Sequence, residues 1–278
     1  AIYPEDYNEG GSMWEHLERY GVSFWNFGCG IMFAPHFSDD IAYMKGYAYA
    51  VNYPVPAPLF HNTSRIFPTY NTAIPDQFRV DKFIEEFDAR WVNGPDTLPT
   101  VLTVMLGNDH GAGERPEAGW PYRESYMADN DLALGRLVEH VSHSKYWAST
   151  AIVVTEDDAQ GGVDHIDAHR SLLMVISPYA KREYVGHTHY SFGSIFKTYW
   201  HILGLPYLNQ YDASASDMGD LFTSTPDLRP YTALPVDPRT FDPQKAYDPL
   251  DAQFNWKALN QGPPLDDEAF LKKEQEEN

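Results

Sequence analysis

The chain of 278 residues is long enough to bury the core of one large α/β domain or of two small ones. Its 40 Asp and Glu residues against 20 Lys and Arg residues give a net charge of −20, which repels the nucleic-acid backbone and argues against a nucleic-acid partner. The single cysteine excludes an internal disulfide, and no apolar run approaches the roughly 20 residues of a membrane span, so no transmembrane segment is predicted.

The first part of the chain predicts two helices separated by an irregular segment. Residues 12–19 fit a short helix, with Ser12 as its N-cap and Glu15 completing a capping box. Between residues 21 and 70 there is little periodicity and three prolines lie close together, which favours a long excursion over a domain face. A second helix begins at Pro75 and ends near Asn93, and its apolar stripe consists of Phe83, Ile84, Phe87 and Trp91.

The middle of the chain alternates predicted strands and helices. Residues 99–106 and 150–155 are apolar and partly β-branched, and they predict two strands with a helix over residues 125–141 between them, as in a βαβ unit. A third strand, 171–177, follows after a loop too short for a helical crossover and is therefore expected to run antiparallel. The last predicted helix spans residues 191–203.

The sequence changes character after residue 224. Prolines recur up to residue 249, and the end of the chain is a charged stretch from residue 266 to residue 278. We therefore predict two parts: residues 1–224 form the C-terminal portion of an α/β domain, and residues 225–278 form a Pro-rich and then acidic tail that wraps the domain or trails from it.

Carboxylates and imidazoles gather after two predicted strands, at the strand ends where open α/β sheets bind ligands. Residues 107–113 supply Asp109 and His110, and residues 156–170 supply five carboxylates and two imidazoles. Such crowding implies either raised pKa values or a bound cation, and the pattern favours the cation. Mixed oxygen and imidazole ligands suit zinc, manganese or iron, whereas an all-oxygen set suits calcium or magnesium.

Several other polar residues have two interpretations. Arg170 could clamp an anion or pair with Asp167. His187 and His189 fit either the site or the entry to the last helix. Histidines on predicted helices are expected to be structural, and these are His16, His140, His143 and His201.

Four parts of the chain, lying between about residue 10 and residue 222, together resemble the bacterial phosphoesterase family. They read GNDHGAG (107–113), MADNDLALGRLVE (127–139), EDDAQ through HRS (156–171), and ISPY with LPYLNQYD (176–212). This family groups acid phosphatases and C-type phospholipases within the alkaline phosphatase superfamily. The resemblance implies a three-layer α/β/α sandwich of the alkaline-phosphatase type that hydrolyses phosphate esters with metal assistance.

The resemblance also implies a set of metal ligands. Asp157 and Asp158 match the paired acidic ligands of the family, and Asp109 and His110 match its earlier Asp-His element. His169 stands where the superfamily places a late histidine. The implied cofactors are divalent metal ions, namely zinc, manganese, iron or calcium.

Two further residues receive roles from the same resemblance. His165 lies in an Asp-His-Ile segment that is similar to the Asp-His-Val of the phospholipase branch, and it is the expected catalytic histidine. Arg170 is expected to bind substrate. Because the ligand set differs between branches, His165 and His169 could exchange their metal-binding and phosphate-binding roles.

Family members carry a strand and a Ser or Thr nucleophile ahead of the region that begins here near Gly10. The expectation is therefore a domain without its N-terminal strand and nucleophile segment, either as the C-terminal part of a longer polypeptide or with the missing strand supplied from elsewhere. Such a domain should not be active alone, and it could associate with the missing segment. Ser12 is the nearest hydroxyl, but its capping-box context argues against a nucleophilic role.

Two functions follow from these observations. The first is metal-dependent hydrolysis of a small phosphate ester, either a monoester or a diester of the phospholipase C kind, through an upstream nucleophile. The alternative is a non-catalytic, metal-binding structural or surface-assembly module derived from a phosphoesterase. The resemblance further implies a bacterial, extracytoplasmic location, periplasmic or secreted.

Overall fold

The computed structural model describes residues 10–33, 52–54, 57–59, 61–68, 70, 72, 74–157 and 170–246. Its helices are α1 (Met13–Arg19), α2 (Asp76–Phe87), α3 (Ser125–Ser142), α4 (Phe192–Leu203), α5 (Gln210–Ser214) and α6 (Pro243–Ala246). Its strands are β1 (Phe24–Phe27), β2 (Ile31–Phe33), β3 (Asn52–Pro54), β4 (Val101–Val104), β5 (Ile152–Thr155) and β6 (Leu173–Ile176). Helices and strands are thus mixed along the chain.

The four helices predicted from periodicity are confirmed. The capping box of α1 forms between Ser12 and Glu15, because each side chain accepts a hydrogen bond from the other residue's backbone N–H. The α2 helix continues into a π-helical turn, Asp88–Val92, so that the predicted apolar stripe extends to Trp91. Local signals were sufficient here because each helix carries its own cap or stripe.

The described strands form three two-stranded sheets. Strand β1 pairs parallel with β4, β2 pairs antiparallel with β3, and β5 pairs antiparallel with β6. The predicted antiparallel direction of the third apolar run is confirmed, with Ile152 opposite Ile176. The order β4, α3, β5 is the predicted one, but within these sheets the partner of β4 is β1 and that of β5 is β6.

Strands β1, β2 and β3 correct the prediction of an irregular excursion from residue 21 to residue 70, and β3 includes Pro54, one of the prolines on which that prediction rested. Strand β1 is the one that pairs with a predicted strand, β4. Its four residues are mostly aromatic, which favours a strand, but they are too few to show a period. Asn26 is buried in the middle of β1, where its amide bonds to the backbone of Cys29 and accepts from the Thr103 hydroxyl of β4 at 2.7 Å. The buried polar side chain of Asn26 therefore has its hydrogen-bond partners: the bond from Thr103 joins β1 to β4, and the bonds with Cys29 hold the turn after β1.

The chain divides into two compact units. The first comprises the described residues of Ala1–His140 and Thr232–Asn278, and the second is Val141–Tyr231. In the first unit, Phe27 of β1 packs edge to face against Phe83 and Trp91 from the α2 stripe and against Phe67, with ring centroids 5.0, 6.1 and 5.5 Å away. This aromatic cluster fixes α2 against β1.

The second unit has its own buried residues. Trp200 on α4 is fully buried, and its indole N–H donates to Asp212 of α5 at 2.6 Å. Trp147 packs edge to face on Tyr231 at 6.0 Å. Ser177, just after β6, donates to the carbonyl of Thr150 ahead of β5 at 2.9 Å, which holds the two strands at that end.

The segment near residue 241 packs against the loop that follows β4. Phe241 is completely buried in a cluster with Trp120 and Tyr126, and Asp242 donates its N–H to the Gly119 carbonyl at 3.0 Å. The division predicted from the sequence, 1–224 and 225–278, stays a prediction. None of the described helices has both the length and the apolar character needed to cross a membrane.

Candidate functional site

The loop that follows β4 carries the first two predicted site residues. Asn108–His110 form a 3-10 turn, in which Asn108 is buried, Asp109 is partly buried and His110 is exposed. Gly107 admits a close approach, because a side chain there would meet the Tyr70 ring at 2.8 Å. The turn therefore presents Asp109 and His110 at the surface while Asn108 points into the protein.

Asp76, the first residue of α2, holds the beginning of this loop. Its two carboxylate oxygens accept from the N–H of Gly107 at 3.2 Å and from the N–H of Asn108 at 2.9 Å. Asn130 of α3 donates to the same carboxylate at 3.0 Å and to the carbonyl of Leu106 at 3.1 Å. Three consecutive residues at the end of β4 are thus bonded to two helices.

Asp129 of α3 is the second buried carboxylate of this network. It accepts from the side chain of Asn108 at 2.6 Å, from the N–H of Asp76 at 3.0 Å, and from the N–H and side chain of Gln77 at 3.3 and 3.0 Å. Arg136 donates to the side-chain oxygen of Gln77 at 3.0 Å, which directs the Gln77 amide N–H toward Asp129. Asp129 thereby caps the N-terminus of α2, where Pro75 has no side chain able to do so.

One buried cation pairs with the first of these two carboxylates. Asp76, Asp129 and Arg79 are all fully buried, and Arg79 donates to Asp76 at 2.8 Å and to the Ile74 carbonyl at 2.9 Å. Burial, together with the neighbouring Asp76 charge, raises the pKa of Asp129 to about 7, although the Gln77 and Asn108 hydrogen bonds oppose this rise. The cluster is therefore an electrostatically costly arrangement directly beneath the loop.

The hydrogen bond made by His110 leaves its Nε2 as the nitrogen able to bind a metal. Its Nδ1 lies 3.1 Å from the Gly111 carbonyl, and because a carbonyl oxygen only accepts, the proton is assigned to Nδ1. Metal-binding histidines are oriented in this way by a carbonyl partner, with Nε2 as the basic nitrogen. The Tyr70 ring contacts His110 edge to face at 5.6 Å. The donor chemistry of His110 thus fits a metal.

The second group of predicted residues begins after β5. Asp157 and Arg170 are exposed and adjoin Glu156 and Ser171, which are joined by a hydrogen bond from the Ser171 hydroxyl to the Glu156 carbonyl at 2.8 Å. The Thr155 hydroxyl also donates to the Leu172 carbonyl at 3.1 Å. Asp157 and Arg170 therefore leave the same end of the β5–β6 ribbon.

The remaining predicted site residues, Asp158, His165 and His169, lie outside the described residues, as does Asp167. Within residues that the structure describes, no three His, Cys, Asp or Glu side chains are grouped closely enough to hold a metal ion. Asp109 and His110 are therefore the described part of the predicted ligand set after β4, and Asp157 is its described part after β5.

Three of the four histidines predicted to lie on helices make contacts that agree with the structural role predicted for them; the fourth, His143, directly follows the end of α3. His16 is buried against the Tyr20 ring. His140 lies 2.9 Å from Asp88, and His201 lies 2.7 Å from Asp217 and 3.0 Å from the Tyr207 hydroxyl. His143 is exposed, and so are His187 and His189 in the second unit.

Sequence reasoning missed the supporting residues Asp76, Arg79 and Asp129. A signal for Asp129 exists, because it falls on the buried face of α3 in line with Tyr126, Ala133 and Leu137. A carboxylate in an apolar stripe requires a partner. No comparable signal marks Asp76, which resembles any acidic residue in the first turn of a helix.

Comparison with known proteins adds no assignment to this geometry. No protein-family model matches the chain, and no curated protein matches it. The phosphoesterase resemblance therefore rests on the motifs themselves.

Proposed function

We propose that this chain belongs to a metal-dependent hydrolase of small phosphate esters. The observation that carries the proposal is the Asn108–His110 turn at the end of β4, where a buried network supports the backbone and His110 has its Nδ1 on a carbonyl. This turn belongs to the motif GNDHGAG, one of those on which the phosphoesterase resemblance rests. An alkaline-phosphatase-like α/β/α sandwich is part of the same proposal.

The proposed metal ligands come from the two segments that follow β4 and β5. They are Asp109, His110, Asp157, Asp158 and His169, with His165 as the catalytic histidine and Arg170 as the phosphate-binding residue. Bound divalent ions would polarise the phosphoryl oxygen and lower the pKa of a bound water. The chain's own contribution is to orient His110 through Gly111 and to fix the backbone at Asn108.

The charge of the chain is consistent with a cation in this role. With a net charge of −20, the protein repels a phosphate ester at long range. The carboxylates after the two strands add to this repulsion unless a cation neutralises them. A metal-bound state would therefore be needed before an anionic substrate could approach Asp109.

The proposal is tested by metal analysis and hydrolysis assays on the full-length protein. We expect bound zinc, manganese, iron or calcium, and turnover of a nitrophenyl phosphate monoester or diester. Asp109→Asn and His110→Ala should each reduce metal content and turnover. The loss should be no smaller than the roughly 10- to 100-fold loss caused by mutating a residue that hydrogen-bonds a metal ligand. Glu114→Gln, an exposed acidic residue of the same loop, is the matched control and should leave both unchanged.

The results separate the two candidate functions. Metal binding without hydrolysis in the full-length protein would favour the non-catalytic, metal-binding module. Undiminished metal content in both Asp109→Asn and His110→Ala would contradict the assignment of this turn as a metal-ligand segment.

A further inference from the structure

We propose that Asp129, acting with Asp76, is a positioning residue that sets where Asp109 and His110 stand. This inference rests on the proposed function, because it assigns a purpose to the support beneath the proposed ligands. Neither residue lies in the Asp109–His110 turn itself. Their effect on the turn passes through Asn108 and Gly107.

Asn108 connects Asp129 and Asp76 directly to the turn that carries Asp109 and His110. Asn108 donates its side-chain N–H to Asp129 at 2.6 Å and its backbone N–H to Asp76 at 2.9 Å. The side-chain N–H₂ also reaches the Ile74 carbonyl at 3.2 Å. Since Asp109 follows Asn108 immediately in the same 3-10 turn, fixing Asn108 at three points restricts the path of Asp109 and His110.

Both buried carboxylates have all their acceptor positions occupied by hydrogen-bond donors. Asp76 accepts four donors, from Arg79, Gly107, Asn108 and Asn130. Asp129 likewise accepts four N–H donors. A carboxylate has roughly four acceptor sites, so both groups are saturated and their orientation is fixed.

Burying Asp76 and Asp129 side by side costs free energy. Two fully buried carboxylates beside a single guanidinium are a weak means of stabilising a fold, because apolar residues of similar size often serve as well or better. The aromatic cluster of Phe27, Phe83 and Trp91 already packs α2 against β1. A network that costs free energy and ends on the Asn108 turn is better explained by the placement of that turn.

The test compares Asp129→Asn with Asp131→Asn in the full-length protein. Asp129→Asn places an amide N–H₂ group opposite N–H donors that had a carboxylate oxygen as their acceptor. Asp131 is exposed on the same helix and serves as the matched control. We expect the Gly107 and Asn108 amides to exchange with solvent at least about 10-fold faster in Asp129→Asn and unchanged in Asp131→Asn.

A second readout distinguishes positioning from general damage. In Asp129→Asn the metal concentration for half-maximal activity should rise about 10-fold or more, while kcat at saturating metal returns toward the wild-type value. A merely unfolded fraction would lower kcat at every metal concentration. Wild-type amide exchange together with an unchanged metal requirement in Asp129→Asn would overturn the inference.

A second variant tests the same connection, and amide exchange does not depend on the hydrolytic activity of the protein. If Asp129→Asn does not fold, Asn108→Ala removes the side-chain hydrogen bonds from this residue to Asp129 and to the Ile74 carbonyl. The same two readouts then apply to Asn108→Ala, and the same results support or overturn the inference. If the wild-type protein binds metal but hydrolyses nothing, the proposed function fails, while amide exchange at Gly107 and Asn108 still decides whether Asp129 positions the turn.

Discussion

Helices α2 and α5 satisfy their N-terminal amides in different ways. The first amides of α2, at Asp76 and Gln77, donate to Asp129, which lies 53 and 52 residues away on α3. The first amides of α5 are satisfied locally, because Asn209 accepts from Tyr211 and Asp212, and Asp212 accepts in return from Asn209 at 2.9 Å. One cap depends on tertiary structure and the other on four neighbouring residues.

The two capping carboxylates have opposite pKa shifts although both are buried. Burial and the Asp76 charge raise the pKa of Asp129. Burial also opposes ionisation of Asp212, but the N–H groups of Asn209 and Leu208 and the Trp200 indole lower its pKa below the ordinary value. Burial alone therefore does not decide the charge of a buried Asp: at Asp129 burial and the Asp76 charge outweigh the opposing hydrogen bonds, whereas at Asp212 the hydrogen bonds outweigh burial.

The largest effect is expected from removing the only cation bonded to Asp76 in the described network. Arg79→Met leaves Asp76 buried beside Asp129 without its guanidinium partner, and should reduce the free energy of unfolding by about 3–5 kcal/mol. Urea-induced unfolding of the two proteins measures this loss. Arg239→Met is the control, because Arg239 pairs with Asp237 in an exposed, solvent-screened ion pair whose loss should change the free energy of unfolding far less. Equal losses in the two variants would contradict the account.

A smaller loss is expected at the local cap. Asp212→Ala leaves the buried Trp200 indole and the N–H groups of Leu208 and Asn209 without their acceptor, at an expected cost of about 1–3 kcal/mol. Thermal unfolding followed by tryptophan fluorescence would report it. Asp217→Ala, at an exposed position, should lower the unfolding temperature markedly less. Equal losses in Asp212→Ala and Asp217→Ala would contradict a special role for the buried Asp212 acceptor.

The opposite pKa shifts predict opposite pH dependences. Asp129 holds its proton more tightly in the folded chain, so its contribution to stability is full below pH 3.8, the ordinary carboxyl pKa, and is lost as the pH rises through about 7. Asp212 contributes stability above its unfolded pKa and loses it as the pH falls through its lowered folded pKa. The charged and titratable groups near Asp129 are Asp76 on α2, which itself pairs with Arg79, and Tyr126 on the same helix as Asp129.

The measurement is the free energy of unfolding between pH 3 and pH 8, approximate limits that span both carboxyl ranges. Relative to Asp129→Asn, the wild-type protein should lose stability as the pH rises. Relative to Asp212→Asn, the wild-type protein should instead lose stability as the pH falls at the acidic end. The same sign for both pairs would mean that burial and the Asp76 charge do not raise the pKa of Asp129 in the folded protein.

The contrast between local and distant partners also explains what the sequence could predict. The capping box of Ser12 and Glu15, the α2 stripe and the antiparallel β6 each depend on residues close together in the chain, and all three are confirmed. Strand β1 is too short to show a period, and its partner β4 lies far along the chain. The distance between partners, more than the strength of an interaction, limited the prediction.

The candidate site follows the same rule. The position of Asp109 and His110 after an apolar strand could be predicted, because strand and loop are contiguous in the sequence. The carboxylate of Asp129 could not be assigned to Asn108, since the two residues are 21 positions apart on different elements. Asp158, His165 and His169 lie outside the described residues, so their part in the ligand set stays a prediction.

The smallest effect is expected at α1, whose cap is local in the same sense as that of α5. The Ser12 hydroxyl accepts from the Glu15 N–H at 3.4 Å, which is long for a hydrogen bond, so Ser12→Ala should cost only about 0.5–1 kcal/mol. The Glu15 side chain accepts in return from the Ser12 backbone, which the substitution leaves in place. Urea unfolding of Ser12→Ala, Glu15→Ala and the double variant should give losses that are less than additive, because the two halves of a capping box hold the same turn. Strictly additive losses would mean that the two hydrogen bonds act independently, and that even a local cap is not one cooperative unit.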